Sequence, residues 1–198
     1  MEKKIVRCWK TNNPLYIKYH DEEWGTPLHD DNRLFEFLVL DGFQAGLTWE
    51  LILNRRKALR KAFDNFDADK LAAYSDEDVR RLMNNPSVIR NRAKILAAIA
   101  NARNFHVIQK DFGSFDAFIW QFVNGKTIHH ALQDYANLPP DSEESIAMSR
   151  ELKRRGFKFV GPTICYAFMQ AAGLVNDHLV HCFRYEQIKK MPQTVKKG

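Results

Sequence analysis

The chain has 198 residues, 45% of them hydrophobic and 27% charged, with a formal net charge of +6 and a pI near 9.2. That length and mix suit one well-cored domain, exclude a low-complexity or fibrous chain, and favour an anionic partner. Three cysteines and no apolar leader in MEKKIVRCWK argue against a disulfide framework, and the longest apolar run, over 164–175, is too short to span a bilayer, so the expected location is cytoplasmic, with no membrane association.

Taken in order, Cys8 to Gly25 is rich in rings but has no clean period. Trp9, Tyr16, Tyr19 and Trp24 suit either the rim of a pocket or the core of an irregular segment. Asp31 is the expected N-cap of a helix over 32–40, where Leu34, Phe35, Phe37, Leu38 and Leu40 crowd every face. Asp41 follows this run, with Gly42, Gly46 and Trp49 beyond. An acid there is costly to bury without a partner, so it points either to water or into a pocket shared with Trp49.

Thr48 caps a helix over 49–63, and Asp67 and Ser75 cap two short ones over 68–74 and 76–83. Asn85-Pro86 opens a longer element running to about residue 109 on the spacing of Ile89, Leu96, Ile99 and Ala100. Ser114 caps 115–123, which stops at Asn124-Gly125, and 126–141 with its Pro139-Pro140 reads as a surface connection. Ser142 opens the helix that leads to Gly156. No stretch alternates as a strand would, so the expected class is all-α, one domain over 1–190 (in one or two lobes) and a frayed tail over 191–198.

The stretch RRGFKFVGPTICYAFMQAAGLVNDHLVHC, residues 154–182, is the most patterned. Gly156 suits a left-handed helix end, and Pro162 after Gly161 suits a first helical turn. Backbone N–H groups near Gly161 and Thr163 would then face outward as a phosphate site, with Lys153, Arg154, Arg155 and Lys158 around them. An ordinary helical hairpin with a solvated basic face has the same pattern. His178 and Cys182 lie four apart, on one face if helical, and Cys8 and His20 would complete a closed Cys₂His₂ set suited to zinc. The alternative is a free cysteine and an unrelated His–Cys pair. His181 is the weaker candidate ligand, Asp177 is a plausible N-cap beside His178, and Cys165 reads as a small core residue.

The segments RCW, PLYIKYHDEEWG, LFEFLVLDGFQAGLTW and KRRGFKFVGPTICYAFMQAAGLVNDHLVHC, in that order over Arg7 to Tyr185, resemble the 3-methyladenine DNA glycosylase I family. The resemblance implies a helix-hairpin-helix glycosylase fold that releases 3-methyladenine from alkylated double-stranded DNA by hydrolysing its N-glycosidic bond after base flipping. It implies one structural zinc on Cys8, His20, His178 and Cys182, clasping the two ends of the domain. It assigns the base pocket to Trp9, Tyr16, Tyr19, Asp41 and Trp49, with Asp41 as the catalytic acid, and the DNA grip to Lys158, Gly161 and Thr163. No lysine nucleophile is evident, so the expected enzyme is a monomeric, monofunctional glycosylase. The place where many helix-hairpin-helix glycosylases carry a catalytic aspartate is Asn176 here. The family's pocket glutamate is replaced by Asp41, one methylene shorter, and Phe43 stands two residues on, where it could add stacking area. A zinc-stabilised DNA-binding module without excision is the alternative that this change leaves open.

Overall fold

The computed structural model describes residues 5–136 and 138–192; the tail over 193–198 lies outside them. The architecture is mostly helical, arranged around one hydrophobic core that extends from Tyr19 to Val175. Helix α1 (Pro14–Glu22) is followed by α2 (Asp31–Gln44), α3 (Trp49–Ala62), α4 (Ala68–Ala72), α5 (Asp76–Asn84), α6 (Arg92–Phe112) and α7 (Phe115–Trp120). Helix α8 (Glu143–Arg154), α9 (Pro162–Ala171) and α10 (Phe183–Lys189) complete the set. Two two-residue strands, β1 (Ile128–His129) and β2 (Val175–Asn176), form a parallel bridge, a small departure from the all-helical expectation. Among the described residues no helix is long and apolar enough to cross a membrane.

Helix α2 is the axis of the fold because it is buried on every side from Leu34 to Phe43 and packs on α3, α6, α7 and α9. Its N-cap is Asp30, which accepts from Arg33 N at 2.9 Å, not Asp31. Asp31 instead reaches the start of α7, accepting from Phe115 N (2.9 Å), Asp116 N (2.8 Å) and Gln109 Nε2 (2.7 Å). The buried Glu36 of α2 is matched by Arg56 and Arg60 of α3, each at 2.8 Å, and Arg56 also pairs with Glu23. Helix α2 continues past Leu40, so Asp41 is a helical residue, not the start of a loop.

Asn85-Pro86 forms a turn; the long helix begins only at Arg92, capped by the Asn91 side chain on Lys94 N. Further on, α8 ends at Gly156 (φ +87°) and the hairpin re-enters α9 through the N-cap Gly161 and Pro162. Gly173 (φ +74°) passes so close to Thr26 that any Cβ would overlap the main chain there. The segment over 177–182 is not helical. Cys182 is the N-cap of α10, and Asp177 caps nothing.

Candidate functional site

Helices α1, α2 and α9, the residues flanking them and the 126–141 connection enclose a cleft of about 260 Å³, below the roughly 300–1,000 Å³ typical of drug-sized ligands and suited to one small ring system. Its walls are Trp9, Tyr16, Tyr19, Trp24 and Trp49, with Asp41 among them and Gln44, Tyr135, Leu138, Ala167 and Gln170 completing the lining. Trp9 is the hub of the rings: its centroid lies 4.9 Å from Tyr16 (26° between planes) and 4.5 Å from Trp24. Tyr19 bridges to Trp49 at 5.2 Å. All five residues assigned to the base pocket thus meet in one cleft.

Among the described residues, Asp41 Oδ2 and Trp49 Nε1 are buried polar atoms of the cleft with no protein partner. Asp41 is 2% exposed, and burial pushes its carboxyl well above the ordinary carboxylate range, only partly offset by the Arg56 guanidinium. Arg56 cannot swing over to pair with it, being held by Glu23 and Glu36. A buried acceptor without a protein partner in a ring-lined cleft is costly, and a ligand that brings a donor or a positive charge recovers that cost. Phe43 is 1% exposed, meets Phe63 edge to face at 5.5 Å and is absent from the cleft lining, so it adds no stacking area there. On the helix its side chain points some 200° from that of Asp41.

Cys8, His20, His178 and Cys182 converge, with ligand atoms all within 4.8 Å of one another. His178 Nδ1 lies 3.4 Å from Cys8 Sγ and 3.6 Å from Cys182 Sγ, and His20 Nε2 lies 3.5 Å from Cys182 Sγ. The outer ring nitrogens are fixed as well: His178 Nε2 faces Trp24 O at 2.9 Å, and His20 Nδ1 faces Asp21 at 2.8 Å. Asp21 in turn is gripped by Arg7. The cluster can therefore hold a metal ion. His178 and Cys182 reach it without a shared helix face, through a turn in which Cys182 N donates to Leu179 O (2.7 Å). His181 is exposed and outside the cluster.

Asn176 is fully buried and bonds His129 and Tyr185 O, so it offers nothing to a substrate. Asp177 is also buried and accepts from His130 (2.5 Å), Tyr166 (2.8 Å) and Gln170 (2.7 Å). In the hairpin, Lys158 and Thr163 are exposed and a Cβ at Gly161 would meet nothing within 4 Å. Arg154 and Arg155 are engaged by Glu151, and Arg155 also by Asp111, which removes them from the free positive rim expected around the turn. Gln44, Tyr135, Leu138, Ala167 and Gln170 were not expected in the cleft. Gln170, three residues after Ala167 and the one strongly polar side chain in an apolar helix, carried a signal; Tyr135 and Leu138, in a proline-rich connection, carried none.

Residues 9–185 match the family model described as methyladenine glycosylase. The chain is 47% identical over 182 residues to DNA-3-methyladenine glycosylase 1 of Escherichia coli strain K12, covering 91% of this chain and 97% of that protein. It superposes on a crystal structure of 3-methyladenine DNA glycosylase I with a TM-score of 0.88 at 47% identity, covering 90% and 98% of the two chains. A structure of the Staphylococcus aureus 3-methyladenine DNA glycosylase I, solved for its recognition of 3-methyladenine, matches with a TM-score of 0.86 at 36% identity, covering 88% and 93%.

Proposed function

The chain belongs to the methyladenine glycosylase family, and we propose that it is a monofunctional DNA repair enzyme that flips 3-methyladenine into the aromatic cleft and hydrolyses its N-glycosidic bond. The observation that carries this reading is the buried, unpartnered carboxyl of Asp41 in a cleft walled by Trp9, Tyr16, Tyr19 and Trp49. Methylation at N3 makes the nucleotide's base cationic, and both the ring faces and the carboxyl favour a cation there. A base stacked in duplex DNA cannot reach a carboxyl buried as Asp41 is, at the foot of the cleft, which is why the reading includes flipping.

In the reaction, water adds at C1′ as the C1′–N9 bond breaks. The bond's electron pair passes into the purine, which leaves neutral, and the water's proton goes to solvent. This chain's residues hold and orient the base: Asp41 accepts from its exocyclic amine, and the rings exclude bulk water.

The metal in this reading is zinc. Tetrahedral bonds of roughly 2.3 Å to sulfur and 2.0–2.1 Å to nitrogen would place S and N ligands about 3.6 Å apart, close to the 3.4–3.6 Å seen. Four protein ligands fill such an ion's coordination, so it cross-links residues 8–20 to 178–182 and takes no part in the chemistry.

The test is release of 3-methyladenine from methylated duplex DNA by the purified protein, beside Asp41→Asn and Asp41→Glu, with the spontaneous rate subtracted. Asp41→Asn removes a charged hydrogen bond worth about 1.5–3 kcal/mol, so release at subsaturating enzyme falls roughly tenfold to a hundredfold, with the lower end favoured because this base also leaves unaided. Asp41→Glu keeps most of the activity. An Asp41→Asn protein as fast as wild type would remove Asp41 from the pocket chemistry. A wild-type protein that binds DNA but releases nothing would leave the DNA-binding module.

A further inference from the structure

We propose that α6 sets the register between the base cleft and the hairpin, with Lys94 and Asn101 as positioning residues for excision. The inference rests on the glycosylase reading above. Residues 94 and 101 are seven apart, two turns of one helix, and so share a face. Both are polar and both are buried, at 6% and 4% exposure.

Each spends its side chain on the main chain of another element. Lys94 Nζ donates to Phe43 O (2.8 Å) and Ala45 O (2.5 Å), carbonyls at the C-terminal end of α2. A helix leaves its last carbonyls without intrahelical donors, and an ammonium there satisfies two at once and complements the dipole. The loop so fixed, over 45–48, joins Gln44 to Trp49, both in the cleft lining, and Asp41 lies one turn upstream. Asn101 clasps one hairpin residue at two points: Nδ2 donates to Lys158 O (3.1 Å), and Oδ1 accepts from Lys158 N (2.8 Å).

Phe159, next in the chain, is held at φ +54°, a left-handed conformation rare for an aromatic residue and sustained where the surroundings dictate it. It stands against Gly42, where a Cβ would lie 3.4 Å from the Phe159 Cβ. Ala97 and Ala98, between the two polar residues, line the same small crevice as Gly42, Phe43, Lys158 and Phe159. Asn104 extends this face to the start of the hairpin turn, against Gly156. The loop that carries the base cleft and the turn that offers the phosphate site are thus hydrogen-bonded to one face of one 21-residue helix. A flipped nucleotide needs its base and its phosphate neighbours held at a fixed separation, and small misplacements are expensive in rate.

The test uses Lys94→Met and Asn101→Leu, which remove the hydrogen bonds at similar volume, and the milder Lys94→Gln and Asn101→Asp. Asn101→Asp keeps the acceptor for Lys158 N but loses the donor and sets a carboxyl oxygen against Lys158 O. Three quantities are read: free 3-methyladenine binding by tryptophan fluorescence, the maximal single-turnover release rate on methylated duplex at saturating enzyme, and the melting temperature. For Asn101→Leu, which leaves the cleft lining untouched, free-base affinity stays within about twofold while the maximal release rate falls about tenfold or more. Lys94→Met lowers the release rate by a similar factor, and Asn101→Asp falls between Asn101→Leu and wild type. Should Asn101→Leu not fold, Asn101→Asp carries the same split. Release maxima within about twofold of wild type in folded variants, or losses that merely follow free-base affinity, would overturn the inference. Wild-type protein that releases no 3-methyladenine would instead overturn the reading beneath it.

Discussion

At the scale of single residues, Asp41 shows how one buried group ties stability to function. An ordinary aspartate loses its proton near 3.8, and in the folded chain burial raises Asp41 well above that value. Between those two points the unfolded chain has shed a proton that the folded chain retains, so the folded state loses stability as pH rises through that window. Asp41→Asn is neutral throughout and keeps nearly the same shape. The stability advantage of Asp41→Asn over wild type therefore widens as pH rises above the ordinary aspartate value of 3.8. Thermal melts of the two proteins across that range check this, and a gap that stays flat or narrows would show that burial does not govern Asp41. On the proposed reading the same cost would bias the cleft toward a cation, because a positive base favours the ionised carboxyl that burial disfavours.

At the scale of elements, the Cys–His cluster and the aromatic cleft are interleaved along the chain. Cys8 precedes Trp9, Tyr19 precedes His20, and Trp24 supplies the carbonyl that orients His178. Trp9 and His20 meet edge to face at 5.0 Å. A zinc that fixes these ligands would also fix the rings beside them. Cys182→Ala, which lies outside the cleft lining, should abolish zinc binding, lower the melting temperature by several degrees on the scale of a few kcal/mol, and weaken free 3-methyladenine binding. Metal analysis, melting and tryptophan fluorescence on one preparation read all three. Unchanged base affinity in a zinc-free, folded variant would make the clasp purely a joiner of the two ends.

The elements also show what could be read in advance. Caps at Thr48, Asp67, Ser75, Ser114 and Ser142, and the Gly156 to Pro162 hairpin, are local signals, and the structure places helices where they indicate. The end of α2 is not local: the apolar run stops at Leu40, but Lys94, distant in sequence, caps carbonyls beyond it and lets the helix continue through Asp41. The order of Asp30 and Asp31 was ambiguous because both can cap, and only the position of α7 gives Asp31 other partners. The spacing of His178 and Cys182 pointed to two residues that do meet in one cluster, but through the wrong local structure, since a tight turn closes the same distance that a helix would. Tyr135 and Leu138 reach the cleft from a connection whose composition says only that it is not helical.

At the scale of the whole molecule, a net charge of +6 says little by itself, because much of the positive charge near the hairpin is neutralised within the protein. On the reading proposed above, what the hairpin would offer DNA is the exposed Lys153 and Lys158 and the open N-terminus of α9 at Gly161. Along that helix the turn lies about 9 Å from Ala167 in the cleft wall, at 1.5 Å per residue. Gly161→Asp separates binding from folding. Gly161 has φ −64° and open space around its missing Cβ, so aspartate fits without strain. Aspartate is also a better N-cap than glycine by a few tenths of a kcal/mol, so the melting temperature holds or rises slightly. The added carboxylate, however, sits where a phosphate would accept from backbone donors, so duplex affinity falls for every sequence alike. Lys158→Ala gives the companion measurement: removing one phosphate contact lowers the magnitude of the slope of log affinity against log salt by about 0.9. Titrations of an undamaged duplex at several salt concentrations measure both. Wild-type affinity in Gly161→Asp, or an unchanged salt slope in Lys158→Ala, would place the DNA path on another face of the molecule.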